Sequence, residues 1–191
     1  MVLGRLFKIH PAFELSLFEI LSQDPCGVVV LISERVPGWN AGVHARASAH
    51  HTDWAGAGNP SVMSRIRYVS YWNYVHLLSH SSVILDTYPY GGCLTSQEGL
   101  SNGKIVVTRP SSYVRGRFTL GLYEQMGAVS AVAGSGEEFV DLAVRAATNE
   151  DGFGDQVRSS VQSGWERVHS DDLGSEWAEA IVGMWSSSSR T

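Results

Sequence analysis

The chain has 191 residues, a length that fits one domain. It is 43% hydrophobic, enough for a real core, and its formal net charge of -5 argues against a general nucleic-acid binder, which needs a basic face. No apolar run approaches the ~20 residues needed to cross a bilayer, residues 1–7 are too short for a secretory signal, and Cys26 and Cys93 make neither a disulfide framework nor a zinc quartet.

Residues 2–7 suit a short opening strand, after which Pro11 favours the first turn of a helix. Phe13, Leu17, Phe18, Ile20 and Leu21 give that helix one buried face, and Asp24-Pro25 stops it. Residues 27–33 form an uninterrupted β-branched run, the mark of a strand covered on both faces. Residues 36–62, rich in Gly, Ala and His, read as a long loop insertion with at most one weak helix. His44, His50 and His51 lack the Cys or acidic partners that a metal site needs, so none is predicted.

Residues 66–70 resume as a strand, 72–80 as a helix and 83–86 as a strand. Small residues Gly91-Gly92 then precede a helix over 95–102 that stops at Gly103. The next strand is 105–108, and the next helix 115–126 ends at Gly127. A short strand over 129–132 follows, then a helix opened by the capping-box pair Ser135 and Glu138. Two more helices are predicted over 151–168 and 174–185, with a frayed tail at 186–191.

Strands alternating with helices imply a Rossmann-like parallel sheet covered by helices on both faces. Ligands bind such sheets beyond the carboxyl ends of the strands. The loops there hold Lys8, residues 71–74, residues 91–98 and residues 109–117. The helix after Gly92 is the natural anion site, because its first amides lack partners and carry partial positive charge. Thr95 and Ser96 either cap that helix or donate to a phosphate. Glu98 either meets ribose hydroxyls or is a first-turn carboxylate favoured by the helix dipole.

Three segments carry a resemblance to a known family: residues 6–11 (Leu6, Phe7, Lys8, Ile9, His10, Pro11), residues 83–108 with Thr95, Ser96 and Glu98 before Gly103, and residues 115–119 (Arg115, Gly116, Arg117, Phe118, Thr119). In order and spacing they resemble the C-terminal, UDP-binding lobe of the protein O-linked N-acetylglucosamine transferases and their Spindly-like O-fucosyltransferase relatives. The resemblance implies a lobe of a two-lobed, GT-B type glycosyltransferase spanning residues 1–185. It implies metal-independent inverting transfer of a sugar from a UDP-sugar to Ser or Thr hydroxyls in the full-length enzyme, with no cofactor beyond the donor substrate. By the same resemblance Lys8 contacts the diphosphate as the catalytic cation. Gly92, Leu94, Thr95 and Ser96 line the phosphates, Glu98 holds the ribose and Tyr74 lies near the base. Arg117 either helps the site or pairs with an acidic neighbour.

Leu94 stands where relatives place histidine or asparagine, and Gly103-Lys104-Ile105 replaces a more usual Gly-Thr-Pro. The resemblance further implies a nucleotide-sugar donor, a protein acceptor and a missing N-terminal catalytic lobe or helical-repeat region as partners. Charge and the lack of a long apolar run argue against nucleic acid and membrane, and with the missing secretory signal and cysteine framework they lead to the expectation of a soluble protein in the cytoplasm or nucleus. The rival reading is a non-catalytic nucleotide- or protein-binding module derived from that fold. A different nucleotide-dependent enzyme is disfavoured, because the dinucleotide Gly-x-Gly-x-x-Gly fingerprint and the P-loop lysine pattern are both missing.

Overall fold

The computed structural model describes all residues except 3, 37, 56–61, 170–171 and 189–191, and only the backbone of 55, 169, 172, 173, 176, 183, 184 and 186–188. Strands β1 (Val29–Ser33) and β2 (Ile66–Ser70) pair in parallel with Val29 opposite Ile66. Strands β3 (Ile84–Leu85) and β4 (Val106–Val107) pair in parallel with Ile84 opposite Val106. Val2 joins the two pairs by bridging Leu31 on one side and Leu85 on the other, and Val132 bridges Thr108 at the far edge. Counting Val2 as the first strand position and Val132 as the last, the order across the sheet is β2, β1, Val2, β3, β4, Val132. This is the doubly wound order 3-2-1-4-5-6, whose switch point lies between its first and fourth strands.

The helices are α1 (Pro11–Gln23), α2 (Trp39–Ala55), α3 (Tyr74–His80), α4 (Leu94–Ser101), α5 (Phe118–Met126), α6 (Gly136–Thr148), α7 (Phe153–Gly164) and α8 (Asp172–Ser188). Local chemistry explains their ends. His10 Nδ1 accepts the Ala12 N–H at 3.2 Å and Pro11 starts α1. Ser135 caps α6 by accepting the Glu138 N–H, and the Glu138 carboxylate returns to the Gly134 N–H at 2.7 Å. Gly103 and Gly127 follow α4 and α5 with φ of 67° and 66°, the left-handed region where a side chain is strained.

Helix α1 packs against α2 and α6, and α5 packs against α4 and α7. The core between helices and sheet holds Phe13 edge-on to Phe139 at 5.9 Å, together with Leu17, Phe18, Ile84, Ile105 and Val107. Tyr123 of α5 is fully buried, and its hydroxyl accepts the Val106 N–H at 3.0 Å and donates to the Val106 carbonyl at 2.9 Å. It satisfies the side of β4 on which no strand runs at that residue, and burial raises its pKa above the ordinary tyrosine value.

Several predicted elements take another form. Most of the 36–62 loop insertion is the helix α2, since its inward positions are polar as well as apolar. Val43 and Ala47 are buried there, but so is His51, while Arg46 and His50 turn towards the buried Glu14. That mixture erases the apolar period that marks a helix. Pro60 of the same stretch lies outside the described residues. Among the described residues the opening strand is Val2 alone, and a 3-10 turn over Leu6–Lys8 follows. The strand predicted over 129–132 is a 3-10 turn, Val129–Ala131, with one bridging residue. Helix α8 runs on to Ser188 through the first part of the predicted tail, whose last residues, 189–191, lie outside the described ones.

Candidate functional site

The chain crosses the carboxyl edge of the sheet on either side of the switch point in two places: the 3-10 turn carrying Lys8, and the loop between β3 and α4. They meet there. The Lys8 ammonium donates to the Gly91 carbonyl at 2.8 Å and sits 4.2 Å from the centre of the Tyr90 ring. Burial lowers its pKa from the ordinary lysine value, against the opposing pull of Asp86 and Cys93. Among the described residues no carboxylate lies within ion-pair distance of this ammonium. The site therefore holds a partly desolvated cation without a direct counter-charge.

Asp86, at the end of β3, builds the loop. Its carboxylate is buried and accepts the Gly92 N–H at 2.6 Å, the Thr108 hydroxyl at 2.8 Å and the Thr119 hydroxyl at 2.6 Å. One side chain thus ties together the start of α4, the end of β4 and the first turn of α5. Burial raises its pKa, while the hydrogen bonds from Thr119, Gly92 and Thr108 and the Lys8 charge pull it down.

The loop delivers Cys93 as the N-cap of α4 without any side-chain hydrogen bond to the helix amides. The first-turn N–H groups of α4 are therefore not capped by a side chain, and they carry the positive end of the helix dipole. A Cβ on Gly92 would come within 2.3 Å of Ser96 Oγ and 2.8 Å of Thr95 Oγ1, so only glycine lets the backbone pass this close.

The other predicted site residues fall into place individually. Thr95 is half-buried beside Gly92 in the first turn. Ser96 points inward: it is 3% exposed and its hydroxyl lies 2.8 Å from that of Thr119, which makes it part of the support beneath the loop. Leu94 opens α4 with 70% of its surface exposed. Glu98 is exposed and accepts a hydrogen bond from the Tyr74 hydroxyl, so the residues predicted for ribose and base contact each other. Tyr74 also stacks on Tyr71 at 5.5 Å, and burial, then the Glu98 contact, raises its pKa. Arg117 stays with its own loop, 3.5 Å from the Ser111 carbonyl.

Arg115, two residues earlier, is nearer the centre. Its carbonyl accepts the Gly91 N–H at 3.0 Å and its guanidinium lies 5.9 Å from the Tyr90 ring and 4.9 Å from Tyr113. Gly116 makes that approach possible, because a Cβ there would lie 2.4 Å from the Pro89 carbonyl. Arg115 and Tyr90 were not among the predicted site residues. Both sit in loops leaving the carboxyl edge, and Arg115 also opens the third segment that carries the resemblance; these are the signals that mark them. An exposed aromatic rim continues outward from Tyr90 to Phe7 at 6.4 Å, and from Phe7 to Trp39 at 6.1 Å.

No protein-family model matches this chain. No curated protein matches it either. Solved structures do match. One is a lysine-to-methionine mutant of the O-GlcNAc transferase of Thermobaculum terrenum, with a TM-score of 0.75 and 24% identity. The alignment covers 96% of this chain and 34% of that one, so the chain spans about a third of the length of that structure. The fold over this stretch is that of a GT-B type glycosyltransferase, with helices packed about a parallel sheet. Among the described residues no helix is long and apolar enough to cross a membrane.

Proposed function

We propose that this chain is the nucleotide-sugar-binding lobe of a protein O-glycosyltransferase and that it takes a UDP-sugar at the switch point. The observation that carries the reading is the meeting of the Lys8 ammonium with the loop that opens α4, beside helix amides that no side chain caps. In this reading the diphosphate lies over those amides and takes its charge-assisted hydrogen bonds from them and from Lys8. Thr95 donates to a phosphate oxygen. Glu98 exchanges its Tyr74 partner for the ribose hydroxyls, which leaves Tyr74 free to pack on the base.

During transfer the bond between the anomeric carbon and the diphosphate breaks while the acceptor hydroxyl oxygen attacks from the opposite face. Negative charge collects on the departing phosphate. Lys8 and the preorganised amides stabilise that charge and make a metal unnecessary. The acceptor is a Ser or Thr hydroxyl of a protein, and the general base belongs to the companion lobe.

A non-catalytic nucleotide-binding module is the second reading, favoured by Leu94. This apolar, exposed side chain occupies the first turn of α4, where a polar group would add a phosphate contact. Calorimetric titration with UDP and then GDP tests both. Saturable UDP binding that weakens by a factor of about ten or more in Lys8→Ala, as expected for losing a hydrogen bond to a charged group, supports the lobe reading. Absence of binding to either nucleotide overturns it. A gain in UDP affinity in Leu94→His or Leu94→Asn supports the module reading, in which the polar contact was lost.

A further inference from the structure

The turn that carries Lys8 is held from both flanks by groups to which the proposed reaction gives no role. On one flank, Glu34 follows β1 with its side chain only 5% exposed. It accepts the Leu6 N–H at 3.2 Å and the Arg5 Nε–H at 2.6 Å. Glu34 is itself fixed by Asn40, in the first turn of α2. The Glu34 N–H donates to Asn40 Oδ1 at 3.0 Å, and Asn40 Nδ2 donates back to the Glu34 carbonyl at 3.1 Å.

On the other flank, Arg46 of α2 donates from Nη2 to the Ile9 carbonyl at 2.6 Å. The same guanidinium reaches Glu14 Oε1 from Nε at 2.9 Å and from Nη2 at 2.7 Å. Glu14, in α1, is 1% exposed, and its second oxygen lies 2.6 Å from His50 Nδ1.

A three-residue 3-10 turn has little stability of its own. A buried carboxylate is also a poor way to glue two helices, since apolar residues of equal volume do as well or better. What this ionic cluster supplies is direction. Glu14 orients a guanidinium whose second Nη2 hydrogen is aimed at the backbone next to Lys8.

We infer that Arg46 and Glu34 are positioning residues, which act through the turn at residues 6–9 to hold the Lys8 ammonium against the Gly91 carbonyl and thereby set the affinity for a nucleoside diphosphate. The inference rests on the reading of Lys8 as the diphosphate contact.

The test is a set of UDP titrations on the full chain, with Arg46→Lys and Glu34→Ala measured alone and combined with Lys8→Ala. Lysine keeps a positive charge beside Glu14 and lacks the fork that serves Glu14 and Ile9 together. Glu34→Ala leaves the Glu14 cluster intact. Each single variant weakens UDP binding by about tenfold, the middle of the range for sites coupled through a shared backbone shift. In the Lys8→Ala background neither produces a further loss. The inference is overturned, and the site reading kept, if both variants bind UDP like the parent while Lys8→Ala does not. It is also overturned if each loses the same factor with and without Lys8, which is the signature of general support for the fold. Lys8→Ala binding UDP as tightly as the parent removes the site reading and the inference together.

Discussion

The two edges of the sheet present opposite chemistry. At the carboxyl edge an ammonium, helix amides and exposed rings converge around a loop pinned by Asp86. At the other edge lies a cavity of about 610 Å³, walled by apolar residues such as Ile20, Leu21, Val30 and Leu77, with Gln23, Asp24, His80 and Glu150 among its lining. The difference lies in convergence: at the rim Lys8, the Gly91 carbonyl and the start of α4 meet on a loop held by one buried carboxylate. Chemistry follows donors fixed in place before anything binds.

Four substitutions test the division of labour between the two edges. Asp86→Ala has the largest effect. It leaves the Gly92 N–H and the Thr108 and Thr119 hydroxyls without their acceptor, and unfolding in urea should show a loss of roughly 3–5 kcal/mol with UDP binding abolished. Gly92→Ala comes next. Displacing the buried Ser96 hydroxyl costs about 1–3 kcal/mol in the same assay and weakens UDP binding.

Asp86→Asn reports on charge. Burial holds the Asp86 proton more tightly in the folded protein than in the unfolded chain. The contribution of this group to stability therefore falls as pH rises from its ordinary value of about 4 towards the raised folded value. Denaturation curves across that window should show the parent losing stability relative to Asp86→Asn as pH rises; a difference that stays flat would mean that the hydrogen bonds and the Lys8 charge cancel burial, and one that reverses would mean that they outweigh it. Ala147→Leu has the smallest effect, filling the opposite cavity for a gain of about 1 kcal/mol in thermal or urea unfolding, with UDP affinity unchanged. A lower affinity in that variant would mean that the two edges are not independent.

The sequence made the rim more legible than its supports. Strand β2 falls on 66–70 as predicted, and α4 and α6 start within one residue of their predicted positions, because β-branched runs, glycine stops and a capping box are local signals. The placing of Lys8 near the start of α4 followed from the alternation of strands and helices, which puts both in loops of one edge. Helix α2 was legible only as one weak helix in a loop, since its inward face mixes Val43 and Ala47 with Arg46, His50 and His51, whose partners Glu14 and Phe18 lie on another helix. Nor was the inward turn of Ser96, which depends on Thr119 across the sheet edge. Ser96 and Thr95 are chemically alike in the sequence, and only the packing of α5 distinguishes them.

The contact between Lys8 and Gly91 joins positions 83 residues apart in the chain. Its two halves come together only when Val2 has seated between β1 and β3 and the parallel strands have closed around it. Such pairings form late, because they close long loops before any contact rewards them. A fragment ending before α4 therefore lacks half of the proposed site. Conversely, a nucleotide held there stabilises the whole sheet by mass action, by about 2.7 kcal/mol at a hundred times its dissociation constant, so melting temperature serves as a gauge of occupancy.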